Sequence, residues 1–156
     1  MRLLVERGET LAVAESLTGG LLAATIVEVP GVSAVFRGGL VVYATDLKAS
    51  LAGVDERLLA TRGAVDPDVA VALAEGARRV CRADWGVATT GVAGPEPQDG
   101  KPVGLVYVAV VGPAGRRVDE LRLGGGRAAV RAGAVSHALE SLVALLRSPT
   151  ANSSGS

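Results

Sequence analysis

Histidine and cysteine are almost missing from this chain of 156 residues, where His137 and Cys81 each stand alone. A lone cysteine excludes an intrachain disulfide, and with a lone histidine it argues against a tetrahedral zinc site of the usual Cys/His kind. The same shortage leaves a Ser-His-Asp triad with one base to choose and a Cys-His pair with one nucleophile. Aromatic residues are scarce too, at one Trp, one Phe and two Tyr, so the core must be closely packed Ala, Val and Leu. Basic and acidic residues balance at 16 each, without the basic excess of a nucleic-acid-binding face. No apolar run approaches the ~18–20 residues needed to cross a bilayer. Charges at Arg2, Glu6 and Arg7 interrupt what would have to be a signal core. The expectation is a cytoplasmic protein with neither nucleic acid nor membrane as a partner.

What is present reads as one domain over residues 1–147, followed by a polar, flexible tail at 148–156. A helix ending at Gly8 leads to a β-prone run at Thr10–Ala14, a glycine turn at Thr18-Gly19-Gly20 and a helix through Glu28. Leu40–Ala44 reads as a buried strand, and Thr45 or Asp46 can cap a short helix carrying Lys48. Asp66-Pro67 opens a helix to about Arg82, and Trp85–Thr89 is a strand. The runs at Val103–Val111 and Arg117–Leu123, joined by Gly112-Pro113-Ala114-Gly115, form a hairpin before a long amphipathic helix from about Ala128 to Leu146. Helices alternating with strands and one late hairpin predict a three-layer α/β/α sandwich on a mixed sheet.

Between Ser33 and Lys48 a hydroxyl, a phenol (Tyr43) and an amine interrupt an apolar, glycine-punctuated stretch. A serine is a weak nucleophile near neutral pH unless a neighbour takes its proton, and a desolvated lysine can do so. With other bases scarce, Ser-Lys chemistry is the first reading for a hydrolase. An extended Leu40–Tyr43 stretch separates its ends by roughly 10 Å. Ser33 therefore meets Lys48 only if Gly38-Gly39 bends the chain back or a second subunit completes the site.

Ala14-Glu15-Ser16-Leu17-Thr18-Gly19-Gly20, Gly31-Val32-Ser33 with Phe36-Arg37-Gly38-Gly39, Tyr43 and Lys48, Thr90-Gly91-Val92-Ala93-Gly94-Pro95, Lys101-Pro102-Val103-Gly104, and Gly126-Arg127 with Arg131 closely resemble the CinA C-terminal domain family. The resemblance covers roughly residues 3–146. It implies hydrolysis of the carboxamide of nicotinamide mononucleotide to nicotinate mononucleotide and ammonia, in pyridine-nucleotide salvage, by a homodimer without metal or organic cofactor. By match to the family's motif, Ser33 is the nucleophile, Lys48 its base and Tyr43 an orienting or polarising neighbour. Thr90 lies in the substrate pocket, and Arg127 or Arg131 binds the phosphate. The chain departs from the family's common pattern at Val32, Asp66, Glu96-Pro97-Gln98 and Gly126.

Other readings stand beside these. The domain could be a non-catalytic nucleotide-binding or regulatory module, or an amidase for another carboxamide. Backbone amides near Gly38-Gly39 or Thr90-Gly91 could receive the oxyanion. Glu15-Ser16 is either a second catalytic or substrate-holding pair, with Thr18 a further substrate-binding candidate, or a brace and cap for the first long helix, with Thr18 the alternative cap. Cys81 reads as a small buried hydrophobe and His137 as a packing or interface residue.

Overall fold

The computed structural model describes residues 1–149 and is an α/β/α sandwich. In chain order the elements are α1 (Arg2–Arg7), β1 (Leu11–Glu15), α2 (Leu21–Val27), a 3-10 turn (Val32–Ala34), β2 (Phe36–Val41), α3 (Thr45–Ser50), α4 (Glu56–Arg62), α5 (Pro67–Cys81), β3 (Trp85–Gly91), β4 (Leu105–Gly112), β5 (Gly115–Arg122) and α6 (Arg127–Arg147). The sheet order is β2-β1-β3-β4-β5, parallel across the first three strands and antiparallel across the last three. Residues 150–156, most of the expected tail, lie outside the described residues.

Strand alternation sorts the core into two layers. Leu11, Val13, Trp85, Val87, Val106 and Val108 face α1, α2 and α6, whereas Ala12, Ala14, Ala88 and Ala109 face α5. The buried strand residues beneath α5 are mostly alanine, so α5 lies close against the sheet. A Cβ on Gly86 would come within 2.0 Å of the Ala74 carbonyl oxygen of α5, which only glycine avoids. Gly8 ends α1 with φ 65°, as its position after the helix predicted. Asp66 caps α5 by accepting from the backbone N–H groups of Asp68 and Val69, with Pro67 opening the helix. By length and composition α6 is apolar enough to cross a membrane, with mean hydropathy 1.3. It is nevertheless a core helix here, packing Val130, Ala134, Ala138 and Leu142 on the sheet.

Three local expectations are corrected. The second strand begins at Phe36 rather than Leu40, so Gly38 and Gly39 lie within it, paired with Ala12 and Val13, instead of bending the chain back. Neither Thr45 nor Asp46 caps α3; the N-cap position is Ala44. Neither Ser16 nor Thr18 caps α2; Gly20 holds that position, and the Glu15 carboxylate accepts from the N–H groups of Leu22 and Ala23.

Registry sets where chemistry can occur. Glu15 lies opposite Val41 on one side and Thr89 on the other. The segments leaving β1, β2 and β3 therefore meet at one edge of the sheet, beyond the carboxyl ends of its parallel strands, where open α/β sheets place their ligands. The antiparallel return of β5 brings the start of α6 to the same edge.

Candidate active site

Ser16 directly follows β1, and its N–H donates to the Thr89 carbonyl at 3.1 Å, which extends the β1–β3 ladder by one residue. Val42 continues β2 likewise, its N–H donating to the Glu15 carbonyl at 2.9 Å. The chain then turns through Ala44 into α3, whose last turn carries Lys48 back beneath this edge.

Lys48 is only 1% exposed, an exceptional degree of burial for an amine. Its Nζ lies 3.1 Å from Ser16 Oγ, 2.7 Å from the Val42 carbonyl oxygen and 3.2 Å from that of Tyr43. Among the described residues no carboxylate pairs with it. Burial without a counter-ion disfavours the ammonium and lowers its pKa to about 8. A neutral amine has two N–H donors and one lone pair. As an ammonium Lys48 donates to Ser16 Oγ and to both carbonyls; once deprotonated, with its two N–H groups on the carbonyls, it can turn the lone pair to Ser16 Oγ and accept its proton.

These two side chains lie in a cleft of about 100 Å³, also lined by Tyr43, Thr90, Gly91 and Arg127. Thr90 is buried, its hydroxyl donating to the Ala64 carbonyl at 2.7 Å, which fixes the pocket wall. Arg127, at the start of α6, donates to the Gly94 carbonyl and, at 3.0 Å, to the Tyr43 hydroxyl, so its guanidinium spans the mouth. Glu96 and Gln98 line the same mouth.

Lys48, Tyr43, Thr90, Gly91 and Arg127 are thus brought together, and the remaining candidates are not. Ser33 is exposed in the 3-10 turn before β2, whereas Lys48 lies beyond the strand's other end. Six extended residues at about 3.3 Å each hold those ends roughly 17 Å apart within the chain. The partner of Lys48 is Ser16 instead. Tyr43 meets the amine through its carbonyl, not its phenol. Gly38 and Gly39 are sheet residues outside the cleft. Glu15 is 1% exposed with its carboxylate on α2, and Thr18 Oγ1 is bonded to Thr89 Oγ1 at 2.8 Å, so neither faces the cleft. Arg131 donates to the carbonyls of Leu17 and Thr18 rather than lining the mouth. The sequence offers Ser16 as half of a Glu15-Ser16 pair or as a helix cap, not as the partner of Lys48. The signal for it is its place between a buried strand and a glycine turn into a helix, which exposes a side chain at the strand's carboxyl end.

The model of the CinA C-terminal domain matches residues 1–146. The chain belongs to the CinA C-terminal domain family. A CinA-like protein of Frankia casuarinae is 55% identical over 138 residues, covering 88% of this chain and 32% of its own length. One from Gloeobacter violaceus is 53% identical over 126 residues, covering 80% and 30%. This CinA domain thus spans about a third of the length of the curated relatives it matches. Among solved structures, the competence/damage inducible protein CihA of Agrobacterium tumefaciens superposes with TM-score 0.87 at 41% identity, covering 91% of this chain and 88% of that one. A competence or damage-inducible protein of Enterobacter asburiae gives 0.90 at 29% identity, covering 93% and 92%. The fold of this CinA domain is therefore shared over nearly its whole length.

Proposed function

We propose that this CinA domain is an amidohydrolase that converts nicotinamide mononucleotide to nicotinate mononucleotide and ammonia, with Ser16 as nucleophile and Lys48 as its base. The observation that carries the reading is the buried, carboxylate-free Lys48 amine 3.1 Å from Ser16 Oγ at a cleft. Family membership supports the substrate class.

In this reaction Ser16 Oγ attacks the carboxamide carbon while Lys48 Nζ takes the hydroxyl proton. The C–N bond of the tetrahedral intermediate then breaks, and Lys48 returns that proton to the departing ammonia. Water attacks the acyl-serine, giving one proton to Lys48. The C–Oγ bond breaks, Ser16 regains that proton, and the carboxylic acid leaves, giving up its remaining proton to solvent as the carboxylate. The two carbonyls on Lys48 keep the amine aimed throughout. At the mouth, Arg127 and the first turn of α6, which lacks a side-chain cap, offer donors and positive potential to the substrate's phosphate.

The test is ammonia release from nicotinamide mononucleotide by the purified chain and by Ser16→Ala, Lys48→Ala and Ser33→Ala. Turnover lost in the first two and kept in the third supports the assignment. Tight binding of the nucleotide without ammonia release would make the domain a binding module. Turnover of phosphate-free carboxamides at equal efficiency, insensitive to Arg127→Ala, would move the substrate class away from nucleotides.

A further inference from the structure

The nucleophile stands on a tight turn, Ser16 to Gly20, whose backbone is held from two sides. On one side the buried Glu15 carboxylate accepts from Leu22 N–H at 2.7 Å and Ala23 N–H at 3.1 Å, pinning the start of α2 to the end of β1. On the other, Arg131 donates from Nε to the Leu17 carbonyl at 3.0 Å and from Nη2 to the Thr18 carbonyl at 2.8 Å. The Ser16 carbonyl is taken within the turn by Gly19 N–H at 3.0 Å. Arg131 therefore ties down the two carbonyls that immediately follow the reacting serine, and it reaches them from α6, an element remote in sequence.

We propose that Arg131 is a positioning residue for Ser16, resting on the reading of Ser16 as nucleophile, and that it does not bind substrate. Arg131 lies one helical turn after Arg127, on the same side of α6. Neighbouring arginines on one helix thus divide the work: Arg127 lines the mouth and Arg131 grips the turn. Arginine is required because its planar fork presents two donors in fixed relation to two successive carbonyls, whereas a lysine ammonium offers a single point of charge. Loss of the grip frees the Leu17–Gly20 backbone and lets Ser16 Oγ drift from the line between Lys48 and the substrate carbon. A misplacement of about 1 Å can cost on the order of 100-fold in rate.

The experiment compares wild type, Arg131→Ala, Arg131→Lys and Arg127→Ala by backbone hydrogen exchange over residues 17–20 and by steady-state kinetics, with thermal unfolding to verify folding. For Arg131→Ala the expected results are exchange at 17–20 raised about tenfold or more and kcat lowered roughly 30–100-fold with KM little changed. Arg131→Lys should recover part of both, and Arg127→Ala should raise KM without changing exchange in the turn. Unchanged exchange in Arg131→Ala would overturn the proposal. So would a KM increase seen with the phosphorylated substrate and not with its phosphate-free analogue, since that marks a substrate ligand. If the wild type releases no ammonia, the amidase reading fails by itself, while the exchange comparison still decides whether Arg131 holds the turn.

Discussion

Ser16 and Ser141 are both buried, and each hydrogen-bonds an ionisable side chain, but the partners differ in kind. Ser16 meets a desolvated amine with two N–H groups already directed at carbonyls, at the edge of a cleft. Ser141, on the buried face of α6, donates to Asp119 of β5, and His137 Nε2 lies 3.0 Å from the same carboxylate oxygen. The second cluster has the three residue types of a catalytic triad in the wrong order, with the carboxylate between serine and imidazole. Burial alone would push Asp119 up, but hydrogen bonds from Ser141, Arg117 and His137 outweigh it and hold the carboxyl below its ordinary range. A carboxylate held that low is a poor base. What activates a serine is a base with a free lone pair, a pKa near the working pH, and open space beside the hydroxyl.

The widest separation between the clusters is expected from Ser16→Ala and Lys48→Ala, each of which should lower amide turnover at least about a thousand-fold, whereas Ser141→Ala should leave it within about twofold. A comparable loss in Ser141→Ala, measured as ammonia release, would erase the distinction. Next comes pH. Lys48 must be neutral to accept the proton, so kcat/KM should fall about tenfold per unit as pH drops below about 8 and level off above it. A profile flat from pH 6 to 9 would remove Lys48 from the role of base.

The Asp119 cluster should respond in stability instead. Because the folded-state carboxyl is held low, its contribution is present above the unfolded-state value and is lost as pH falls through the folded one. Asp119→Asn should therefore unfold at a lower temperature than wild type near pH 7, and the gap should close in acid, as thermal melts across pH 3–7 would reveal. The smallest effect expected is at Ser33, exposed in its turn, where alanine should change neither turnover nor melting temperature appreciably.

Much of the fold was legible because its signals are local. Gly8 after a helix, Asp66-Pro67 before one, and the turn at Gly112–Gly115 between β4 and β5 all announce themselves within a few residues. The short α4 was missed, although Asp55 accepts from Arg57 N–H as a helix cap and Leu58-Leu59 follows. Most of the site was legible as a motif: Lys48, Thr90, Gly91 and Arg127 do meet. The serine beside Lys48 was not, because its identity depends on pairing. Parallel alignment of β1 with β2 joins the ends of both strands, so Ser16 reaches Lys48 across a sequence separation of 32 while the nearer Ser33 is left at the far end of β2. Linear proximity favoured Ser33, whereas strand register brings Ser16 to Lys48 within the chain.

The pairing of Ser16 with Lys48 is tested most directly by locating covalent reactivity. The chain is treated with a fluorophosphonate at pH 8 and the modified residue mapped by peptide mass spectrometry, in wild type and in Lys48→Ala. The expected result is an adduct on Ser16 that forms far more slowly without Lys48. An adduct on Ser33, or equal labelling of Ser16 in both proteins, would contradict it.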